Sequence, residues 1–165
     1  MEALVHPDGR FVLGTRILRA ALGRGGVRAD KAEGDGATPL GRLPLRRVLY
    51  RADRGAVPRA AVPREPIGPG DGWCDDPGHP DYNRMVRLPH PARCEELWRT
   101  DGLYDIVGVL GWNDAPVQRG RGSAIFLHVA RPDHAPTEGC IALAAADLRV
   151  VLAAGVTALR VTDRD

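Results

Sequence analysis

Short apolar runs separated by turn-forming residues are the main pattern along this chain. The runs lie between segments rich in glycine, proline and aspartate, and several of them alternate apolar with polar positions. Runs of this length with such boundaries are typical of β-strands. We therefore predict about eight short strands. Among them are residues 3–6, 11–13, 43–51, 105–110, 124–127 and 157–162.

Helices are expected in only a few places. Residues 91–99, with two early glutamates and an apolar end, favour a short helix. Residues 143–153 are rich in alanine and carry apolar residues at helical spacing, and Gly155 would end that helix. The stretch 17–22 fits a strand and a helix equally well. The pattern therefore predicts a mainly β fold with two or three short helices.

Composition narrows the class of protein. A length of 165 residues with 44% hydrophobic and 27% charged residues is expected of a single globular domain, spanning residues 1–165. The net charge is only +2, and no basic run or aromatic ladder is present, so nucleic-acid binding is not expected. The first twenty residues are interrupted by charges. We therefore expect no signal peptide, no membrane insertion and a cytoplasmic location, or a periplasmic one if the chain is a processed form.

Cysteine usage points to at least one free thiol. The chain has three cysteines, Cys74, Cys94 and Cys140, and an odd number cannot all pair internally. Cys140 is the candidate for chemistry because it follows Thr-Glu-Gly between an apolar strand and an alanine-rich helical stretch. Amide groups near the start of a helix would favour its thiolate form. The alternative is an ordinary buried cysteine.

Two histidines could take the proton of the Cys140 thiol. His128 ends an apolar run, whereas His134 lies closer to the cysteine in a turn-rich loop. We favour His128, because groups on strands are held more precisely than groups on loops. The combination predicts acyl transfer by a cysteine nucleophile, with no cofactor and no metal in the reaction. The backbone amides of Gly139 and Cys140 are candidates for an oxyanion hole.

The same residues resemble the active-site motif of the L,D-transpeptidase catalytic-domain (YkuD-type) family. That motif has a strand-end histidine, a variable loop, Ser or Thr, one further residue, glycine and the nucleophilic cysteine. His128, Thr137, Gly139 and Cys140 match it. Upstream, residues 31–41 resemble the Gly-rich Thr-Pro-x-Gly loop of the family. The resemblance implies an L,D-transpeptidase-like β-sandwich.

The resemblance also implies a substrate class. The partner would be a peptidoglycan stem tetrapeptide or muropeptide, cut at the L,D bond before its terminal D-Ala. The acyl group would pass to water, as in an L,D-carboxypeptidase, or to an amine, as in an L,D-transpeptidase. The expected absence of a signal peptide favours water. Glu138 stands where the family often has a second histidine and Ala142 where arginine or asparagine is common, so the details of the substrate stay open.

A polar and aromatic segment, residues 71–88, is a candidate wall of the substrate groove. Arginine binds carboxylates well in a forked geometry, and Arg84 is a better candidate than Arg87 for holding one. The alternative is that the polar residues bond their own turns and the tryptophan packs. The predicted substrate-binding residues are Trp73, Tyr82, Asn83 and Arg84, with Thr137 and Glu138 from the cysteine motif.

Two alternatives from other classes remain open. The spacing of Cys74, His79, His90 and Cys94 is compatible with a structural zinc site, although turn-rich surroundings and the lack of a tight cysteine pair count against it. The other alternative is a non-catalytic muropeptide-binding module. Cys74 could also lie near Cys140 as a redox lock, or simply be buried.

Overall fold

The computed structural model describes residues 1–164 of the chain. These residues contain fourteen β-strands and one α-helix. The mainly β class predicted from the sequence is confirmed. The elements are β1 (Glu2–Val5), β2 (Arg10–Leu13), β3 (Arg16–Ala21), β4 (Val27–Arg28), β5 (Thr38–Pro39), β6 (Gly41–Tyr50), β7 (Arg64–Pro66), β8 (Asp71–Cys74), β9 (Met85–Arg87), β10 (Cys94–Glu96), β11 (Ile106–Leu110), β12 (Phe126–Val129), β13 (Ile141–Leu143), α1 (Ala145–Ala153) and β14 (Ala158–Val161).

Nine of the strands form one sheet that closes on itself. Their order is β11-β12-β13-β3-β2-β1-β14-β6-β7, and β11 also pairs with β6. β1 and β14 run parallel, so that residues 2–5 lie beside residues 158–161. β12 and β13 are also parallel, with His128 opposite Ala142. This second parallel pair carries the two residues expected to do the chemistry.

A large apolar cluster fills the space between the closed sheet and α1. It draws side chains from most strands of the sheet, among them Phe11, Leu127 and Leu159, which are fully buried. Helix α1 adds its buried face. Full burial of one such side chain contributes about 1.5–3 kcal/mol, so the cluster holds β12 and β13 firmly in register.

A small three-stranded sheet, in the order β10-β8-β9, covers the other side of β11 and β12. Trp73 of β8 packs edge-on against Phe126 of β12, with ring centroids 5.1 Å apart. Tyr104 packs against the same ring at 5.8 Å. A second apolar cluster, which includes Cys140, results from this packing. The small sheet therefore forms a wall beside the cysteine.

The structure differs from the sequence prediction mainly in the helices. Residues 91–99 are not helical, because Cys94–Glu96 pairs with β8 as strand β10. The later helix begins at Ala145, because Ile141–Leu143 is inserted between β12 and β3 as β13. The ambiguous stretch 17–22 lies in strand β3. Among residues 1–164, no helix has the length and apolar character needed to cross a membrane.

Candidate active site

Cys140 and His128 open into the same cavity, whose volume is about 280 Å³. His128 lies in β12, and Cys140 directly precedes the parallel neighbour β13. Both side chains are almost enclosed, with 8% of Cys140 and 6% of His128 exposed. His134, the competing histidine, does not line this cavity. The closed sheet thus brings together the thiol and the imidazole that the sequence motif singles out.

The turn before Cys140 is fixed by the hydroxyl of Thr137. Its Oγ1 donates to the carbonyl oxygen of Cys140 at 2.6 Å and accepts from the amide of Gly139 at 3.1 Å. Gly139 has φ +130°, and a Cβ there would lie 2.8 Å from the carbonyl oxygen of Ala37. Only glycine fits both the conformation and the space. Thr137 therefore positions the cysteine. It also lines the cavity, and its contact with substrate stays a prediction.

The Cys140 thiol is neutral at pH 7 in this structure. Burial raises its pKa to about 12, and the nearby Glu95 carboxylate adds to the shift. The Phe126 amide donates to Sγ at 3.4 Å and acts in the opposite direction. A helix start was expected to favour the thiolate. That expectation is wrong, because strand β13 follows the cysteine and the helix begins only at Ala145.

The His128 imidazole is neutral as well. Burial lowers its pKa to about 4, and the charge of Arg99 lowers it further. Nδ1 lies 2.9 Å from the carbonyl oxygen of Val129. Since a carbonyl only accepts, Nδ1 carries the hydrogen and Nε2 is left as the base. The carbonyl thus selects the tautomer that can receive a proton.

The resting thiol donates to the carbonyl oxygen of Ala124 at 3.2 Å. Within residues 1–164, no hydrogen bond joins Sγ of Cys140 to the imidazole of His128. The pair is therefore two neutral groups, and the proton moves only after the S–H bond has turned away from Ala124. This arrangement suits general-base activation more than a preformed thiolate–imidazolium pair.

Two of the predicted substrate-binding residues hold Ala124 in place. Asn83 Oδ1 accepts from Trp73 Nε1 at 3.0 Å and from the Ala124 amide at 3.1 Å. Asn83 Nδ2 donates to the carbonyl oxygens of Trp112 and Asn113 at 2.9 and 2.8 Å. Ala124 has φ +53°, an uncommon value for a residue with a side chain. Trp73 and Asn83 therefore support the carbonyl that binds the thiol. Both line a groove of about 830 Å³ outside the Cys140 cavity, and their contact with substrate stays a prediction.

Tyr82 and Arg84 also lie outside the Cys140 cavity. Tyr82 is buried, and its hydroxyl donates to Glu33 at 2.7 Å and accepts from the Gly122 amide at 3.0 Å. Burial raises the pKa of the Tyr82 phenol well above its usual value. Arg84 lines a separate groove of about 830 Å³ together with other arginines. Neither residue lines the cavity that holds the thiol, so any contact that they make with substrate would lie outside it.

Glu138 lies at the cavity as predicted, but its carboxylate is largely exposed. It pairs at 2.9 Å with Arg24, which does not itself line the cavity. An ion pair as exposed as this contributes at most about 1 kcal/mol, so it can open at little cost. Glu138 is thus available to a ligand at the rim.

Sequence analysis missed the acidic side of the cavity. Glu95 of β10 accepts a short hydrogen bond from the Tyr104 hydroxyl, and burial raises the pKa of both groups. Glu33 comes from the loop at residues 31–41 and accepts from Ser123 Oγ at 2.5 Å. The glycine-rich loop singled out in the sequence therefore reaches the site, whereas no local pattern marks Glu95 or Tyr104.

Two arginines provide positive charge at the same cavity. Arg99 is bound by Asp101, with 2.5 Å between Nη2 and Oδ2, and this ion pair lowers the pKa of the Asp101 carboxyl to about 2. Arg131 follows β12 and lies exposed at the edge of the cavity. Of the two, Arg131 is the one without an ion pair to a carboxylate within 4.0 Å among residues 1–164, although its charge also helps to lower the pKa of Asp101.

The four residues considered for zinc lie outside this cavity. Cys74 pairs across the small sheet with Cys94, and His90 lies beside them. Cys74 does not line the Cys140 cavity. A redox lock between Cys74 and Cys140 is therefore not supported by the arrangement.

Comparison with known proteins identifies the family. Residues 4–155 match YkuD, the L,D-transpeptidase catalytic domain. No curated protein matches the chain. Among solved structures, the helical cell shape determining protein Pgp2 of Campylobacter jejuni is similar, with a TM-score of 0.47 and 14% identity over 99% of this chain and 48% of that one. A mutant of the same protein gives a TM-score of 0.41 and 16% identity, over 99% of this chain and 47% of that one. This chain thus spans about half the length of Pgp2. Because the family model matches nearly the whole length of this chain, the chain belongs to the YkuD family of L,D-transpeptidase catalytic domains.

Proposed function

We propose that this protein is a cysteine acyltransferase that cuts the L,D-peptide bond before the terminal D-Ala of a peptidoglycan stem tetrapeptide. The observation that carries the proposal is the opening of the Cys140 thiol and the His128 imidazole into one small cavity. Family membership supports a peptidoglycan substrate. No cofactor or metal takes part in the proposed chemistry.

The first half-reaction forms a thioester on Cys140. Sγ attacks the carbonyl carbon of the L,D bond, and the thiol proton passes to Nε2 of His128. As the C–N bond breaks, Nε2 returns this proton to the leaving amine, and D-Ala departs. Because the resting thiol is neutral, proton removal and attack have to be coupled. The low pKa of His128 makes its imidazolium a strong acid for the second transfer.

The oxyanion of the tetrahedral intermediate needs hydrogen-bond donors. The amide of Gly139, one of the two predicted donors, already donates to Thr137 Oγ1 in the resting structure. We therefore assign the Cys140 amide as the first donor, and Gly139 would contribute only by exchanging its bond to Thr137. Each donor of this kind is worth roughly 2.7–4 kcal/mol of transition-state stabilisation.

The second half-reaction decides between two activities. Water attacking the thioester releases a tripeptide, which is L,D-carboxypeptidase activity. An amine from a second stem forms a new peptide bond, which is transpeptidase activity. In either case His128 Nε2 removes a proton from the acceptor, and the thiol is regenerated. Water as acceptor, with a cytoplasmic location, stays the first expectation.

Arg131 is the residue we assign to the terminal carboxylate of the substrate, in place of Arg84. Arg131 lies at the Cys140 cavity, whereas Arg84 faces the separate groove. Arg131→Gln is expected to raise KM for the tetrapeptide about tenfold or more, because a hydrogen bond to a charged group is worth about 1.5–3 kcal/mol. The measurement is steady-state D-Ala release. Arg84→Gln is the matched control and should leave KM unchanged, and the reverse pattern would restore Arg84 as the carboxylate site.

The function itself is tested by incubating purified protein with a stem tetrapeptide, alone and with an amine acceptor. Mass spectrometry follows tripeptide, D-Ala and cross-linked dimer. Tripeptide plus D-Ala would establish the carboxypeptidase. Dimer would establish the transpeptidase. Saturable binding of the peptide without any product would contradict the proposed enzymatic activity. It would indicate a non-catalytic muropeptide-binding module instead.

A further inference from the structure

Side chains that bind metal ions lie together at one end of the small sheet, outside the Cys140 cavity. Cys74 ends β8 and Cys94 begins β10, and the two are directly opposite partners in the antiparallel pair. Opposite residues in such a pair have their side chains on the same face of the sheet. Cys74 is fully buried and Cys94 is half-buried, and both are free thiols. Two sulfurs thus face one enclosed spot.

His90 completes a trio with the two cysteines. The two sulfur atoms and one ring nitrogen of His90 all lie within 4.8 Å of one another. The imidazole is only 10% exposed, and its Nε2 lies 2.9 Å from Oδ2 of Asp81. Metal-binding histidines almost always have such a partner on the second nitrogen. Nδ1 is then the nitrogen for an ion, which would replace the hydrogen bond that the Ala92 amide donates there at 3.1 Å.

His79 is next to this trio. Its ring centroid lies 4.8 Å from that of His90, and ligand atoms of His79, Asp81 and His90 also lie within 4.8 Å of one another. Nδ1 of His79 accepts from the Asp81 amide at 3.0 Å, which leaves Nε2 to bind an ion. His79 therefore adjoins the trio through His90, but it is not itself within 4.8 Å of all three ligand atoms of the trio.

We propose that Cys74, Cys94 and His90 bind a structural zinc ion, and that His79 turns towards it as the fourth ligand. Thiolate and imidazole ligands together select zinc over magnesium or calcium, which prefer oxygen. Two thiolates balance the charge of the ion. With His79 in the fourth position the tetrahedral shell is complete and leaves no position for water, so this ion would stabilise structure and take no part in hydrolysis.

The zinc site would also stiffen one wall of the cavity. Asp75 directly follows Cys74, Glu95 directly follows Cys94, and both carboxylates line the Cys140 cavity. A metal bound to the two cysteines fixes where these neighbours stand. The inference goes beyond the proposed function and is tested without it, because zinc content is measured on protein that need not turn over any substrate.

The main competing chemistry for the cysteines is a disulfide between Cys74 and Cys94. It would use the sulfurs but would give no reason for the two imidazoles and the Asp81 carboxylate beside them. The two possibilities differ in intact mass, because a disulfide removes two hydrogens. Unreduced protein is therefore weighed under denaturing conditions, with and without a thiol-blocking reagent.

The experiment measures zinc per chain by elemental analysis of protein expressed with added zinc and purified without chelators. Wild type is expected to carry about one zinc ion per chain. Cys94→Ser should lose nearly all of it. Asp81→Ala should keep the ligands but weaken zinc affinity by roughly 10–100-fold. Cys140→Ala and His134→Ala are the matched controls, and both should retain the zinc of wild type.

A second measurement covers the case in which Cys94→Ser does not fold. Zinc is removed from wild type by a chelator and replaced by cobalt(II), whose absorption reports thiolate ligands. The expected result is a sulfur-to-cobalt charge-transfer band and a Tm that falls on chelation and recovers with zinc. Metal-free wild type, a Cys74–Cys94 disulfide in the purified protein, or equal zinc in Cys94→Ser and wild type would each overturn the proposal.

Discussion

Cys140→Ser is expected to reduce kcat/KM for D-Ala release by at least about 10³-fold, because a hydroxyl in this enclosed site is a far weaker nucleophile than sulfur. Serine can keep both contacts of the thiol, from the Phe126 amide and to the Ala124 carbonyl. Stability should therefore change little. The measurement is D-Ala release under substrate saturation and at low substrate, with the urea midpoint as the folding control.

Trapping the intermediate makes the Cys140 test sharper. Rapid acid quench of wild type during turnover should show the intact mass raised by the tripeptide acyl group, located on Cys140 by peptide mapping. The serine variant, whose acyl-enzyme would be an oxygen ester, should accumulate no acylated protein. If Cys140→Ser released D-Ala at the wild-type rate, the nucleophile would lie elsewhere and the proposed mechanism would fail.

His128→Gln is the second large expected effect, with kcat reduced by about 10²–10⁴-fold, the range for loss of a general base. The pH profile separates this role from a structural one. Without a base, attack depends on spontaneous thiolate, so the variant's rate should climb with pH towards the thiol pKa of about 12. Wild type should lose activity only on the acid side, as His128 is protonated around pH 4. His134→Gln is the matched control and should behave as wild type. Loss of activity in His134→Gln alone would make that loop residue the base.

The same histidine predicts a pH dependence of folding. Its pKa is about 4 in the folded protein, below the ordinary value of 6.5, so the unfolded chain binds the proton more readily between these values. The contribution of His128 to the free energy of unfolding is therefore fully present above pH 6.5. It is lost as the pH falls towards 4, by roughly 3 kcal/mol at most. Urea unfolding at several pH values should show a smaller loss for His128→Gln than for wild type.

The sequence was most informative where the chain encodes structure locally. The apolar run before His128 and the Thr-x-Gly-Cys turn predicted the strand and the motif, because burial and a glycine-only conformation leave direct marks in the sequence. Residues 91–99 were misread because a short apolar stretch is compatible with strand and helix alike. Residues 94–96 form a strand because they pair with β8, and this contact is not visible in the local sequence.

Most of the cavity wall could not have been predicted for the same reason. Glu95, Tyr104 and Arg131 reach the site only because the sheet closes, and nothing in their neighbourhoods distinguishes them from surface residues. A different limit applies to Tyr82 and Asn83. Their polar and aromatic character suggested ligand contact, yet the structure uses these groups to satisfy buried backbone atoms. The single-domain boundary of 1–165 stays a prediction.

Closure of the sheet has a consequence for the thiol during synthesis. The strand that joins β1 to β6 is β14, and it follows Cys140 in the chain. Pairings between residues so far apart are slow to form. Before the sheet closes, Cys140 is expected to react as an ordinary exposed thiol with oxidants and alkylating agents, whereas burial in the finished fold suppresses this reactivity. A nascent or partly unfolded chain should therefore be labelled at Cys140 much faster than the native protein.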